Sequence, residues 1–319
     1  MMHKAMRKGV SGMKVFVDGG AGTTGLRIRE RLAARQELEM ITLPEEKRKD
    51  PAAVKEAINA SDVCFLCLPD DAAREAAAMA ENPKTVILDT STAHRTAPGW
   101  VYGFPELSEE SFGRIRESRR IAVPGCHASG FIALTAPLVR AGVISPEAEL
   151  TCFSLTGYSG GGKKMIAEYE EQERSPLLDA PRMYGLTQRH KHLPEMMAVT
   201  GLQKAPVFCP IVGDYYAGME VTVSLRGDRE GKARDEIRAV YEALYRGPVV
   251  RYTAEPGEDG FLSAGALAGT DRMEISVLGN EEQILLTARF DNLGKGASGA
   301  AIECMNIAMG WAPETGLVL

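Results

Sequence analysis

The chain has 319 residues, of which 45% are hydrophobic and 25% charged, and its 43 acidic and 37 basic residues leave a net charge of −6. That length predicts two domains, and the acidic balance argues against a general nucleic-acid binder. No apolar run approaches the roughly 18 residues of a membrane span. Six cysteines scattered through a mid-sized chain do not resemble a disulfide scaffold, so a reducing cytoplasm is the expected compartment.

Residues 1–12 are basic and lack an apolar core, which excludes a secretory signal and reads as an upstream extension or tag. Periodic structure begins at Met13. Strands are predicted at 14–18, 39–43, 62–68 and 85–88, alternating with helices at 23–35, 52–59 and 70–81. That alternation implies a parallel, doubly wound sheet of the Rossmann type. A short strand then ends at Pro124-Gly125, and a helix is predicted over 128–141. Beyond about residue 148 the pattern changes to strands at 150–155, 219–225, 273–278 and 283–290, with one helix at 229–245. Strands with segregated helices predict an α+β domain on a mostly antiparallel sheet. Residues 296–311 return to helical composition and are expected to pack back on the first domain.

The first functional signal is Asp18-Gly-Gly-Ala-Gly-Thr-Thr-Gly25, at the end of a strand and the start of a helix. Gly20, Gly22 and Gly25 fit the G-x-G-x-x-G spacing, and Gly19, Gly22 and Gly25 fit a variant of it. Such a loop supplies a tight turn, close approach of backbone to pyrophosphate, and a helix N-terminus aimed at the phosphates. The second strand runs into Glu45-Glu-Lys-Arg-Lys49. There Glu45 or Glu46 suits the ribose of NAD, whereas Lys47, Arg48 and Lys49 suit the 2′-phosphate of NADP.

The second signal is Cys126. Its position at or just before a helix N-terminus favours the thiolate and an adjacent oxyanion. Cys64 and Cys67 are spaced to face opposite sides of a strand, which leaves them as core residues. The third signal is Gln188-Arg-His-Lys-His-Leu-Pro-Glu195, where His190 or His192 is a candidate proton shuttle. No third metal ligand accompanies them, and no metal is expected. Gly157-Tyr-Ser-Gly-Gly-Gly-Lys-Lys164 is either an anion nest or a plain hairpin loop. Asp291–Gly299 is small and glycine-rich after a strong strand, fit for close approach to a cofactor ring or to a helix.

Taken in order, these segments resemble the short form of the N-acetyl-γ-glutamyl-phosphate reductase family of arginine biosynthesis. The stretches Asp89-Thr-Ser-Thr-Ala-His-Arg95 and Tyr102-Gly-Phe-Pro-Glu-Leu107 belong to the same likeness, which covers nearly everything after Met13. The resemblance implies NADPH-dependent reduction of an acyl phosphate to a semialdehyde through a Cys126 thioester, with His190 or His192 as acid/base. It implies NADP(H) held by Gly19, Gly20, Gly22, Thr23, Thr24, Gly25, Lys47, Arg48, Ser91, Asn292 and Lys295. Substrate is expected at Arg95, Ser159, Gly160, Gly161, Lys163, Lys164 and Glu195. It divides the chain into a cofactor domain at 13–125, completed by 296–311, and a catalytic and dimerisation domain at 126–295, with a homodimer or homotetramer expected. Two positions depart from the family: Val123 stands where Asn is frequent, and His127 where Tyr is. The competing readings are a reductase of aspartyl or N-blocked aminoadipyl phosphate, and a non-catalytic NADP(H) sensor.

Overall fold

The computed structural model describes residues 12–20, 22–227 and 230–319; all but the last residue of the upstream extension lies outside them. The first part of the chain runs β1 (Met13–Asp18), α1 (Thr23–Ala33), β2 (Leu38–Ile41), α2 (Pro51–Ala60), β3 (Val63–Leu66), α3 (Asp70–Ala78), β4 (Val86–Asp89), β5 (Val101–Tyr102), α4 (Glu109–Glu117) and β6 (Arg120–Ala122). Its six strands pair in the order β2-β1-β3-β4-β6-β5, every pair parallel. β3 and β4 are buried on both faces, which is why they read as unbroken apolar runs rather than alternating ones. Cys64 joins the core on one side of this sheet and Cys67 packs toward the other, as their odd spacing predicts. At α2, Asp50 accepts from the Ala52 N–H and Pro51 occupies the first helical position, a start signal written in the sequence.

The second part follows as α5 (Cys126–Arg140), β7 (Thr151–Gly157), α6 (Gly162–Glu170), β8 (Arg182–Met183), α7 (Leu193–Thr200), β9 (Val207–Gly213), β10 (Met219–Arg226), α8 (Lys232–Leu244), β11 (Val250–Tyr252), β12 (Met273–Gly279), β13 (Gln283–Phe290) and α9 (Gly299–Ala308). The seven strands are ordered β11-β12-β13-β10-β7-β9-β8. Four of the six pairings are antiparallel, and β7–β9 and β11–β12 are parallel. One face of this sheet packs on α5 and α8 to make the largest core. α5 is buried from His127 through Leu138, and it lies so close to β10 that a Cβ on Gly130 would sit 2.5 Å from Val221 Cγ2.

Several elements differ from the sequence reading, which names neither β5, α4, β8 nor β11. β9 carries Pro210 in mid-strand, a residue that argues against a central strand. The glycine-rich loop after β7 does not stay a loop but becomes α6. The helix predicted at 128–141 begins two residues earlier, at Cys126 itself. In the C-terminal helix, Ala300, Ala301, Ile302, Cys304, Met305 and Ile307 share a core with β1, β3 and β4. It is preceded by a wide turn over Gly294–Ser298. Gly294 and Gly296 belong to that turn because side chains there would strike the Thr270 carbonyl and the Cys126 Cβ, at 2.0 and 3.0 Å. Among the described residues no helix is long and apolar enough to cross a membrane.

Candidate active site

The turn from β1 to α1 is built of backbone. Gly19 sits at φ +76, and a Cβ there would lie 2.2 Å from the Cys67 carbonyl oxygen, so no other residue fits. A Cβ on Gly25 would meet the Gly19 carbonyl at 2.8 Å. The Gly22 N–H donates to the Gly19 carbonyl at 3.1 Å and Gly22 caps α1 with no side chain. The first-turn N–H groups are therefore left for an anion, and Thr23 Oγ1 is buried with no partner. Beside this turn a hollow of about 280 Å³ is lined by Phe16, Met40, Leu43 and the cations Arg29, Arg48 and Lys49. Apolar walls with three positive charges fit an adenosine carrying a 2′-phosphate. Lys47, Glu45 and Glu46 do not line the hollow; they form an exposed short turn. Gly20 lines the hollow, and Gly22, Thr23, Thr24 and Gly25 line the adjoining main cleft.

That cleft, about 470 Å³, lies between the two sheets and contains Cys126. The thiol is the first residue of α5, with Gly125 as its cap and no side chain capping the helix. Burial pushes the thiol up from its ordinary value, opposed by the His127 N–H and by the charges of Arg95 and Lys191. Desolvation therefore opposes the helix terminus, whose pull is toward the thiolate.

A buried carboxylate holds the start of α5 in place. Glu195, 1% exposed, accepts from Arg95 Nη1 at 2.6 Å, from the Tyr102 hydroxyl at 2.7 Å and from the Gly125 N–H at 3.1 Å. Arg95 also donates to the carbonyls of Val123 and Thr90. Val123 thus contributes its backbone, and the side-chain difference noted at that position is absorbed in the core. Glu195 does not line the cleft; its charge is spent on protein groups, whereas Arg95 reaches the cleft wall. Gly125 must be glycine because a Cβ would lie 2.4 Å from Arg95 Nη1 and 2.5 Å from His192 Nε2.

Four aromatic rings stand behind the thiol. His192, 4% exposed, has its Nδ1 buried without a partner. Its ring lies 4.7 Å from that of His190, whose Nδ1 accepts the His192 N–H at 3.2 Å. His127 does not point to solvent: its Nδ1 is 2.7 Å from Ser154 Oγ and its Nε2 is 2.5 Å from the Tyr184 hydroxyl. Burial is the first cause that holds all three imidazoles neutral, with nearby positive charge second. His127 falls to about 3, His190 to about 4, and His192 well below its usual range. Lys191 lines the cleft beside them.

On the opposite wall Ser159, Gly160 and Gly161 line the cleft. Asn292 supports them: its Nδ2 donates to Ser159 Oγ at 2.9 Å and its Oδ1 accepts from the Gly218 N–H at 3.0 Å. Four expected residues lie elsewhere. Lys163 and Lys164 are exposed on α6 outside the cleft lining. Ser91 is tied into its own turn by Asp89, and Thr90 lines the cleft instead. Lys295 is buried beneath the wide turn against Glu106 and Glu303 and does not line the cleft. Tyr184 was not singled out because its stretch carries no periodicity, and Lys191 was passed over between two histidines. Among the described residues no group of three or more His, Cys, Asp or Glu is placed to hold a metal ion.

Residues 14–115 match the family described as semialdehyde dehydrogenase, NAD binding domain, and residues 126–292 match semialdehyde dehydrogenase, dimerisation domain. The N-acetyl-gamma-glutamyl-phosphate reductase 2 of Pseudomonas putida is 44% identical over 303 residues, covering 93% of this chain and 96% of that one. The N-acetyl-gamma-glutamyl-phosphate reductase of Rhizobium meliloti is 43% identical, covering 93% and 98%. Among solved structures, aspartate semialdehyde dehydrogenase II of Vibrio cholerae superposes with a TM-score of 0.67 at 15% identity over 94% of this chain and 99% of that one. The Candida albicans aspartate semialdehyde dehydrogenase with NADP gives 0.65 at 15% identity, over 94% and 99%. Likeness at that identity is one of fold.

Proposed function

The chain belongs to the N-acetyl-gamma-glutamyl-phosphate reductase family, and from that premise we propose how its residues divide the work. The reaction is the NADPH-dependent reduction of N-acetylglutamyl 5-phosphate to N-acetylglutamate 5-semialdehyde with release of phosphate, in arginine biosynthesis. The observation that carries the assignment of roles is the placement of Cys126 at a helix start with no side-chain cap, with His192 Nε2 against Gly125.

His192 accepts the proton of the Cys126 thiol. It is neutral at rest and its Nδ1 makes no bond that would fix the ring. His190 sets the turn instead, accepting the backbone N–H of His192. The Cys126 thiolate attacks the acyl carbon, phosphate leaves, and a thioester forms. The glycine turn, Thr23, Thr24, Arg29, Arg48 and Lys49 would hold NADPH, and the chemistry it would supply is hydride donation to a carbonyl. The first-turn N–H groups of α5 hold the oxyanion that follows. Proton return from His192 is favoured by its burial, which penalises the imidazolium. Lys191 and the Ser159–Gly161 backbone take the anionic ends of the substrate.

Residues 13–125 with 296–311 form the cofactor unit, and 126–295 the catalytic and assembly unit. The outer face of the second sheet carries Phe153, Leu155, Cys209, Ile211 and Leu285, with Phe153 42% and Leu285 40% exposed. A second copy of this chain covers that face in a homodimer, or in a tetramer of such pairs.

The test is the reverse assay: N-acetylglutamate semialdehyde, NADP⁺ and phosphate, followed by absorbance of reduced cofactor. Phosphate-dependent reduction lost in Cys126→Ser is the expected result. Turnover in that variant overturns the thiol role, and wild-type activity confined to aspartate semialdehyde overturns the substrate.

A further inference from the structure

Cys126 is followed by His127, which lines the cleft yet is only 3% exposed. Its two ring nitrogens are both engaged, Nδ1 with Ser154 Oγ at 2.7 Å and Nε2 with Tyr184 Oη at 2.5 Å. A neutral imidazole has one donor and one acceptor, so the chain of three groups has two possible directions. Ser154 is fully buried on β7, and among the described residues His127 is the one partner of its hydroxyl. Were Nδ1 the donor, the Ser154 hydrogen would be buried with no acceptor, at full desolvation cost. Ser154 therefore donates to Nδ1, Nε2–H donates to Tyr184 Oη, and the phenol's own hydrogen is released toward the cleft that Tyr184 lines.

The phenol stays protonated, because burial and the nearby Cys126 raise it far above its ordinary value. It is thus a neutral donor of fixed direction. The cations of the cleft wall are Arg95, already paired with Glu195, and Lys191. These and the helix start suit the substrate's anionic groups. A neutral phenol matches the remaining strong acceptor of an N-acylated substrate, its amide carbonyl.

Resting on the substrate assigned above, we infer that Tyr184 reads the N-acyl carbonyl of the substrate, with His127 and Ser154 as positioning residues that aim its hydroxyl. The arrangement confers specificity, since a site built around a hydrogen bond rejects the analogue lacking the group far more strongly than an apolar pocket does.

The experiment compares kcat/KM for N-acetylglutamate semialdehyde and for 5-oxopentanoate, which keeps the carboxylate and aldehyde but has no acylamino group. Tyr184→Phe, Ser154→Ala and His127→Phe are measured beside the wild type with NADP⁺ and phosphate. The expected result is a fall in the ratio of the two substrates of about 10-fold or more in Tyr184→Phe and His127→Phe. Ser154→Ala should give a smaller fall, and His127→Gln should recover part of the discrimination through its amide. Loss of folding lowers both substrates together and does not move the ratio. An unchanged ratio in both Tyr184→Phe and His127→Phe overturns the inference while leaving the reductase reading intact. A wild type inactive on N-acetylglutamate semialdehyde overturns the reading beneath it.

Discussion

Two helix starts face the same cleft and are built by opposite means. α1 and α5 each follow a strand, each is capped by a glycine, and neither has a side-chain cap. At α1 the shape is local: Gly19, Gly22 and Gly25 close the turn on themselves and on the adjacent Cys67 carbonyl. At α5 the shape is assembled from afar. Glu195 arrives from α7, Arg95 from the loop after β4 and Tyr102 from β5, and together they hold Gly125. The turn at α1 is made of backbone, which any sequence with the right glycines supplies. The start of α5 that carries the Cys126 thiol is held by side chains from three other segments, so its fine geometry depends on the whole fold.

That contrast can be broken from either end. Cys126→Ser is expected to remove turnover by about 10³-fold or more while NADPH still binds, read by steady-state rate and cofactor fluorescence. Gly19→Ala is the mirror image, because its Cβ would enter the Cys67 carbonyl at 2.2 Å with φ at +76. NADPH affinity should fall at least about 10-fold, or the fold should weaken by more than about 1 kcal/mol. Gly22→Ala, whose nearest neighbour is 3.8 Å away, should bind nearly normally. Equal effects at Gly19 and Gly22 would refute the cradle.

Glu195→Gln tests the assembled site with less damage. It removes the charge opposite Arg95 and turns one acceptor into a donor facing existing donors. A drop of about 10²-fold in kcat with NADPH affinity kept is expected, in the range typical of losing a positioned polar group. Loss of cofactor binding instead would show that α5 and α1 do not separate.

The smallest effect is one of pH. With the thiol raised by burial and His192 held neutral, the resting pair is thiol and imidazole. Alkylation of Cys126 by iodoacetamide should therefore keep rising from pH 7 to 9. A rate already level by pH 7 would mean a preformed thiolate–imidazolium pair. Mass mapping of the labelled peptide keeps the other cysteines apart.

The same contrast explains what was legible in the sequence. The parallel sheet, the glycine turn and the place of Cys126 were readable because strand alternation, the G-x-x-G-x-x-G spacing and a strand–glycine–helix passage are local signals. Glu195 was picked out, but as a substrate group; its role as an anchor depends on Arg95, a hundred positions away. Lys163 and Lys164 follow the glycines as an anion nest would, yet α6 starts there and carries them outward. Lys295 was placed at the cofactor by the family resemblance, whereas half-buried Glu106 and buried Glu303 claim it. His127 shows in the sequence only as a departure from the family's Tyr, and its place is decided by Ser154 and Tyr184. Side chains choose partners in three dimensions, and spacing reports only one.

The most direct test of the account withholds the acceptor. The enzyme is mixed with N-acetylglutamate semialdehyde and NADP⁺ without phosphate, then quenched, digested and mapped by mass spectrometry. The account predicts a burst of reduced cofactor of about one per chain and an N-acetylglutamyl group on the Cys126 peptide, both discharged when phosphate is added. An acyl group on another residue, or phosphate-dependent turnover with no adduct at Cys126, would contradict it.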